Sequence, residues 1–266
     1  MRVGLAALVF LPFLRTRGQS PRTIVLYMLV GAMQLGIMYL LAFRAYLYLT
    51  VSEFLLFTVF TPLYITLIYD LLSGRKLRWG YLLSAALAVL GAAIIRYDKV
   101  SDHFWTGLLL VQLSNLCFAI GMVGYKRLME VRPMPQHNAF AWFYVGAFIV
   151  AVAAWFMLGN AQKLPTTTLQ WSVLVWLGVV ASGLGYFMWN YGATQVDAGT
   201  LGIMNNVHVP AGLLVNLAIW QEQPHWPSFI SGALVILASL WVHRRWVAPH
   251  SGQTADDRRR GSAQSE

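Results

Sequence analysis

The chain has 266 residues, of which 58% are hydrophobic and 11% charged, with a mean hydropathy of +0.58. Soluble domains carry roughly 25% charged residues, so the composition excludes a soluble domain with a tail and describes a polytopic membrane protein. The formal charge of +9 does not imply a nucleic-acid partner, because the basic residues fall in short stretches between apolar runs, where they set orientation in the bilayer.

Apolar runs long enough to span a bilayer recur along the chain. They predict nine spans, at about 1–14, 24–46, 51–71, 79–97, 104–125, 139–158, 171–193, 198–220 and 228–246. The first is short: fourteen helical residues reach about 21 Å, against a hydrocarbon core of about 30 Å. The chain is therefore expected to begin inside a helix. That run ends at Arg15 and Arg17 without a small-residue cleavage site, so it does not read as a cleavable signal peptide.

In the second span, Gln34 and Tyr39 either line a cavity or hold helices together by hydrogen bonds. Arg44 and Glu53 flank the next turn. They form an interfacial ion pair with Arg44 snorkelling, or Arg44 presents its planar fork to a substrate carboxylate with Glu53 as its resting partner or a proton site. Pro62 lies inside the third span. Asp70 and Glu222 lie near span ends and read as solvated groups.

In the fifth span, Gln112 and Asn115 share a helix face with Ser114 beside them. Cys117, the single cysteine, lies mid-span, which leaves no intramolecular disulfide and no cysteine metal site. Trp189, Asn190 and Tyr191 sit late in the seventh span. Aromatic residues there often anchor the interface, but an amide needs another explanation. Gly31, Gly36, Gly91, Gly121, Gly124, Gly178, Gly183 and Gly185 are expected to permit close helix packing, and SGLGY at 182–186 is a weak signal of a flexible point.

The densest polar cluster is LGIMNNVHVPAGLLVN at 201–216. Asn205, Asn206 and His208 lie within four residues, with Pro210 one turn on. Unpaired amides in hydrocarbon cost on the order of 2–7 kcal/mol, so such groups are expected to line a cavity or the bundle interior. Pro210 frees the carbonyl of Asn206 and permits a bend there.

A shift of 148 positions brings Ala45 onto Ala193, Val59 onto Val207, Pro62 onto Pro210, Ala85 onto Ala233 and Arg96 onto Arg244. The first copy is expected over 1–98, incomplete at its start, the second over 104–246, and a disordered polar tail over 247–266. A complete parent would hold ten spans. A repeat with an odd number of spans inserts its copies in opposite orientations, which is the plan of many secondary transporters, with a midplane site between copies. Pro62 and Pro210 would then be paired hinges.

Of the 19 basic residues, fourteen fall on one side: Arg15, Arg17, Arg22, Arg75, Lys76, Arg78, Lys126, Arg127, Arg132, Arg244, Arg245 and Arg258–Arg260. Arg2, Arg44, Arg96, Lys99 and Lys163 fall on the other. This puts the C-terminus in the cytoplasm. There is no HExxH, GxSxG or Walker loop, and no two histidines show metal-ligand spacing. No enzyme, metal or cofactor is expected.

With five-plus-five inverted repeats and a proline late in the fourth span of each, the chain resembles the EamA type of the drug/metabolite transporter superfamily. The runs GYKRLMEVRPMPQHNAFAWFY, SGLGYFMWNYGATQVDAGTLGIMNN and VHVPAGLLVNLAIW resemble its enterobacterial biotin-carrying members, over essentially the whole length. Those members begin with a further helix. The resemblance implies an all-α integral membrane fold in the bacterial inner membrane and inward transport of biotin by alternating access. For such a substrate, Asn205, Asn206, Asn115 and Gln112 can read the ureido ring, Trp189 or Tyr39 can pack on the bicyclic body, and Arg44 can hold the carboxylate. Export of amino acids, metabolites or drugs on the same fold is the alternative, and a non-transporting membrane sensor or assembly protein the second. The energy source and oligomeric state are left open, a homodimer among the options.

Overall fold

In a computed structural model of the chain, the described residues are 1–49, 51–74, 104–159, 164–220, 226–243 and 245, with isolated positions at 79, 83, 86, 87 and 90. The expected span at 79–97 lies mostly outside the described residues. Gly91, Arg96, Lys99, Lys163, Glu222, Arg244 and the tail from 247 lie wholly outside them.

Every regular element among the described residues is helical. In chain order they are α1 (Arg2–Phe10), continued by a short 3-10 turn (Leu11–Phe13); α2 (Pro21–Gly31), a π-helical stretch (Ala32–Ile37) and α3 (Met38–Ala45); α4 (Val51–Thr58) and α5 (Thr61–Leu72); α6 (Phe104–Val131); and α7 (Gln136–Leu158). There follow α8 (Thr168–Val175), a second π-helical stretch (Trp176–Gly185) and α9 (Tyr186–Ala193); α10 (Ala198–Asn205); α11 (His208–Trp220); and α12 (Trp226–Val242).

Four unbroken runs are long and apolar enough to cross a membrane: Pro21–Ala45, Trp105–Val131, Gln136–Leu158 and Thr168–Ala193, of 25, 27, 23 and 26 residues. At about 1.5 Å per residue each clears a hydrocarbon core of about 30 Å. Arg2–Phe13, Thr61–Leu72 and Phe229–Val242 are shorter apolar helices. The fold is thus an all-helical membrane fold, with four clear spans among the described residues.

The helices start where the sequence supplies caps. Ser20 accepts from the Thr23 backbone N–H at 3.2 Å, with Pro21 opening α2. Thr167 and Gln170 form a reciprocal capping box at the start of α8. Asp197 accepts from the Gly199 and Thr200 backbone N–H groups and begins α10.

Two compact units are distinguished, Met1–Thr50 with Ser101–Val196, and Val51–Val100 with Asp197–Glu266. In the first, α2 and α7 touch backbone to backbone. A Cβ placed on Gly31 would lie 1.8 Å from the Phe143 carbonyl oxygen, and one on Gly146 would lie 1.8 Å from that of Met28. Without water to drive helices together, membrane packing depends on such close van der Waals approach. A Cβ on Gly121 of α6 would fall 2.8 Å from the Gln34 Cα. Beside these contacts lies an aromatic core. Phe140 stacks on Phe143 at 4.6 Å and meets Tyr144 edge-on at 5.1 Å, and Phe10 of α1 closes on Phe140 at 5.3 Å.

In the second unit both short helix pairs break next to a proline. The chain turns at Val59–Phe60 before Pro62, and at Asn206–Val207 before Pro210. The breaks are fastened to each other: the Asn206 side-chain amide donates to the Val59 carbonyl at 3.0 Å, fully buried. Val59, Ile203 and Ile236 pack around this bond, with Leu63, Val207 and Leu240 against them. Gly202 lets the Pro62 carbonyl approach, 3.2 Å from where a Cβ would stand.

Gly31→Ala and Gly146→Ala should each lower stability by about 1–3 kcal/mol, since the obstacle is backbone. Gly192→Ala, where a Cβ meets nothing within 4 Å, should be neutral or stabilising. Thermal unfolding of the three variants in detergent measures the difference.

Candidate functional site

The first unit contains a cavity of about 750 Å³, within the range of small-ligand sites, about 300–1,000 Å³. Its walls come from the start of α1, the stretch Leu35–Phe43, and the end of α7 from Phe148 to Leu158. Most of the lining is apolar: Leu35, Leu40, Phe43, Phe148 and Trp155. The polar side chains on it, among the described residues, are Arg2 and Tyr39, and no acidic side chain lines it.

Arg2 is held by three contacts. Its Nε donates to the Ser182 hydroxyl, and its guanidinium carbon sits 4.9 Å from the centroid of the Tyr39 ring. A Cβ on Gly178 would crowd the Arg2 carbonyl at 3.1 Å and the Leu5 Cβ at 2.7 Å, so glycine there admits α1. The Tyr144 hydroxyl donates to the Ser182 carbonyl, and Tyr39 meets the Tyr186 ring edge-on at 6.4 Å. Arg2 thus stands among three tyrosines and a serine. No carboxylate pairs with it among the described residues.

The depth of this cluster follows from helix geometry. Arg2 is thirteen residues from Arg15, about 20 Å along a helix, and the Arg15 backbone N–H bonds Asn138 at the start of α7. Ser182 lies eleven residues before Ala193, the end of its span, or about 16 Å. Both distances are shorter than a hydrocarbon core of about 30 Å. Arg2, within the first expected span and counted on the non-cytoplasmic side, lies in a helix, half-buried and hydrogen-bonded.

Both π-helical stretches belong to this unit. One carries Gln34 and the cavity residues Leu35 and Gly36, and the other carries Ser182. Such wide turns interrupt the regular ladder and occur often at functional sites. Gln34 is fully buried, and neither its amide oxygen nor its nitrogen has a partner. Asn190 donates to the Tyr186 carbonyl at 3.0 Å, while its oxygen is buried and unpaired. Orphaned groups of this kind cost about 1–3 kcal/mol each.

The remaining candidates of the first unit are separate. Asn115 donates to Gln112 Oε1 at 3.4 Å, and neighbouring Ser114 donates to the Met38 carbonyl at 3.1 Å. The Trp189 indole N–H points at the Met122 sulfur, 2.9 Å away. Arg44 is exposed near the end of α3. In the second unit Glu53 is buried on α4. Asn205 is buried, its carbonyl meets His208 Nδ1, and His208 itself is exposed. Asn206 holds Val59 as described, Pro62 is buried in the first turn of α5, and Pro210 is the third residue of α11.

Sequence reading missed one further polar centre, also in the second unit. His243, fully buried, contacts Asp197 Oδ1 at 2.7 Å, and the Thr200 hydroxyl donates to Asp197 Oδ2 at 2.7 Å. Gly199 makes room, since a Cβ there would fall 2.0 Å from the His243 ring. Burial alone raises the Asp197 carboxyl. Hydrogen bonds from His243 and Thr200 outweigh that and hold it well below the ordinary carboxylate range. The signal available in the sequence was the spacing of Asp197 and Thr200, a helix-capping pattern.

The EamA-like transporter family profile matches residues 105–244. The chain is 83% identical over 266 residues to a protein of Escherichia coli (strain K12) named "Biotin transporter", covering 100% of this chain and 89% of that one. It is 53% identical over 245 residues to a "Probable biotin transporter" of Pseudomonas aeruginosa, covering 91% and 85%. A crystal structure at 17% identity superposes with a TM-score of 0.72 over 91% of this chain and 84% of that one, a likeness of fold alone.

A carboxyl whose folded pKa is depressed stabilises the fold above its ordinary value, near 3.8, and loses that contribution as pH falls below it. The melting temperature in detergent should therefore drop between about pH 5 and about pH 3. Asp197→Asn should melt lower at neutral pH and lose less across that acid window.

Proposed function

This chain belongs to the EamA-like transporter family, and we propose that it is a secondary transporter importing biotin across the bacterial inner membrane by alternating access. The observation that carries the substrate is the 83% identity, over the full chain, to a protein named for biotin transport. The relatives matched are named as transporters, not enzymes.

The chemistry of the first unit supports a ligand of this type. Biotin joins a ureido ring, which needs paired donors and acceptors, to an apolar bicycle and a carboxylate tail. An apolar cavity lined by the cationic side chain of Arg2 and the hydroxyl-bearing ring of Tyr39 suits the bicycle and the carboxylate tail. Gln112, Asn115, Trp189 and Tyr39 remain candidates for the ring and bicycle, as do Asn205, Asn206 and His208, and Glu53 remains a candidate proton site. The paired prolines Pro62 and Pro210 are the proposed hinges.

The fuller architecture belongs to the same proposal. Nine spans in two inverted copies, the C-terminus in the cytoplasm, and a parent plan of ten spans rest on the 148-residue repeat and on fourteen of 19 basic residues lying on one side. A homodimer is compatible with this plan.

Proteoliposomes holding the purified chain and loaded with unlabelled biotin should accumulate external labelled biotin transiently above its equilibrium level. Absence of that overshoot, with an overshoot from amino-acid-loaded vesicles, would favour the exporter reading. Absence of both would favour a non-transporting role.

A further inference from the structure

We propose that Arg2 is the anion-recognising group of the cavity in the first unit, and that the cavity takes a small amphipathic carboxylate. The head sits on the guanidinium, and the apolar body lies along Leu35, Phe43, Phe148 and Trp155. The proposal deepens the biotin reading and rests on it for the identity of the substrate.

A cation within a membrane-spanning bundle is found paired, facing water, or serving function. Arg2 has no carboxylate partner among the described residues, and it lines a cavity large enough for a ligand. Its protein contacts fix it in place without neutralising it. Nε is used on the Ser182 hydroxyl and one face of the plane lies over Tyr39. Ser182 is itself steadied by the Tyr144 hydroxyl on its carbonyl. The two terminal nitrogens carry no protein hydrogen bond among the described residues, and together they form the end of the fork that matches a carboxylate.

The walls select what accompanies the charge. Leu35, Phe43, Phe148 and Trp155 offer no hydrogen bond to a polar body except the indole N–H. A fully hydrated anion such as phosphate or a dicarboxylate would lose its water without replacement. A monocarboxylate with an apolar body loses little. Arg44, the other arginine considered for this role, does not line the cavity.

The test compares a carboxylate with its amide. Uptake of labelled biotin and of labelled biotinamide is measured for the unaltered chain, Arg2→Gln and Arg2→Lys in proteoliposomes. Binding of octanoate and octanamide to the same purified proteins is measured by titration calorimetry. Arg2→Gln should raise the KM for biotin and the Kd for octanoate about 10- to 100-fold, the size of a charge-assisted pair, and change the amide values less than twofold. Arg2→Lys keeps the charge but loses the fork, so it should fall between the two. Equal losses for acid and amide, or no change for either, would overturn the proposal. Should Arg2→Gln fail to fold, the acid-to-amide ratio of Arg2→Lys decides in the same way. If the unaltered chain carries no biotin, the transport reading fails, and the octanoate titrations still decide the anion site.

Discussion

In a hydrocarbon core no water is available, so each polar group must find its partner inside the protein. The fold can be read as a set of answers to that constraint. In the second unit, two helix breaks would leave carbonyls bare next to prolines. The Asn206 amide covers the Val59 carbonyl, and a small apolar cluster seals the bond from lipid. At a helix start outside the expected spans, the Asp197 carboxylate covers two free N–H groups and the buried His243 ring leans on it.

The first unit leaves part of the problem unanswered within the protein. Glycines bring α2 against α7, and α6 against the Gln34 backbone. Yet Gln34 has no partner, Asn190 has half of one, and Arg2 has a hydroxyl and a ring but no counter-charge. Of the three, Arg2 lines the cavity, where an acid tail would complete it.

Much of the fold was legible in the residues because hydropathy and proline act locally. Four long spans follow from run length alone, and the breaks before Pro62 and Pro210 follow from the carbonyls that proline frees. Close packing at Gly31, Gly36 and Gly121 was expected from residue size, and each lies against another helix. The rest depended on distant contacts. Nothing near Asn206 names Val59, 147 positions away. Nothing in the sequence brings His243 to Asp197, 46 positions away, where Gly199 opens a slot for it. The π-helical stretches carry no pattern that distinguishes them from ordinary helix. Nothing near Arg2 in the sequence names its partner Ser182, 180 positions away.

The central claim is that Arg2 and Tyr39 wall a water-accessible cavity that admits substrate. The direct measurement is thiol labelling of Tyr39→Cys in a Cys117→Ser background, with a water-soluble maleimide, in membranes with and without biotin. The account predicts that the thiol at position 39 reacts and that biotin slows the reaction. A thiol that never reacts, or one whose rate ignores biotin, would contradict it.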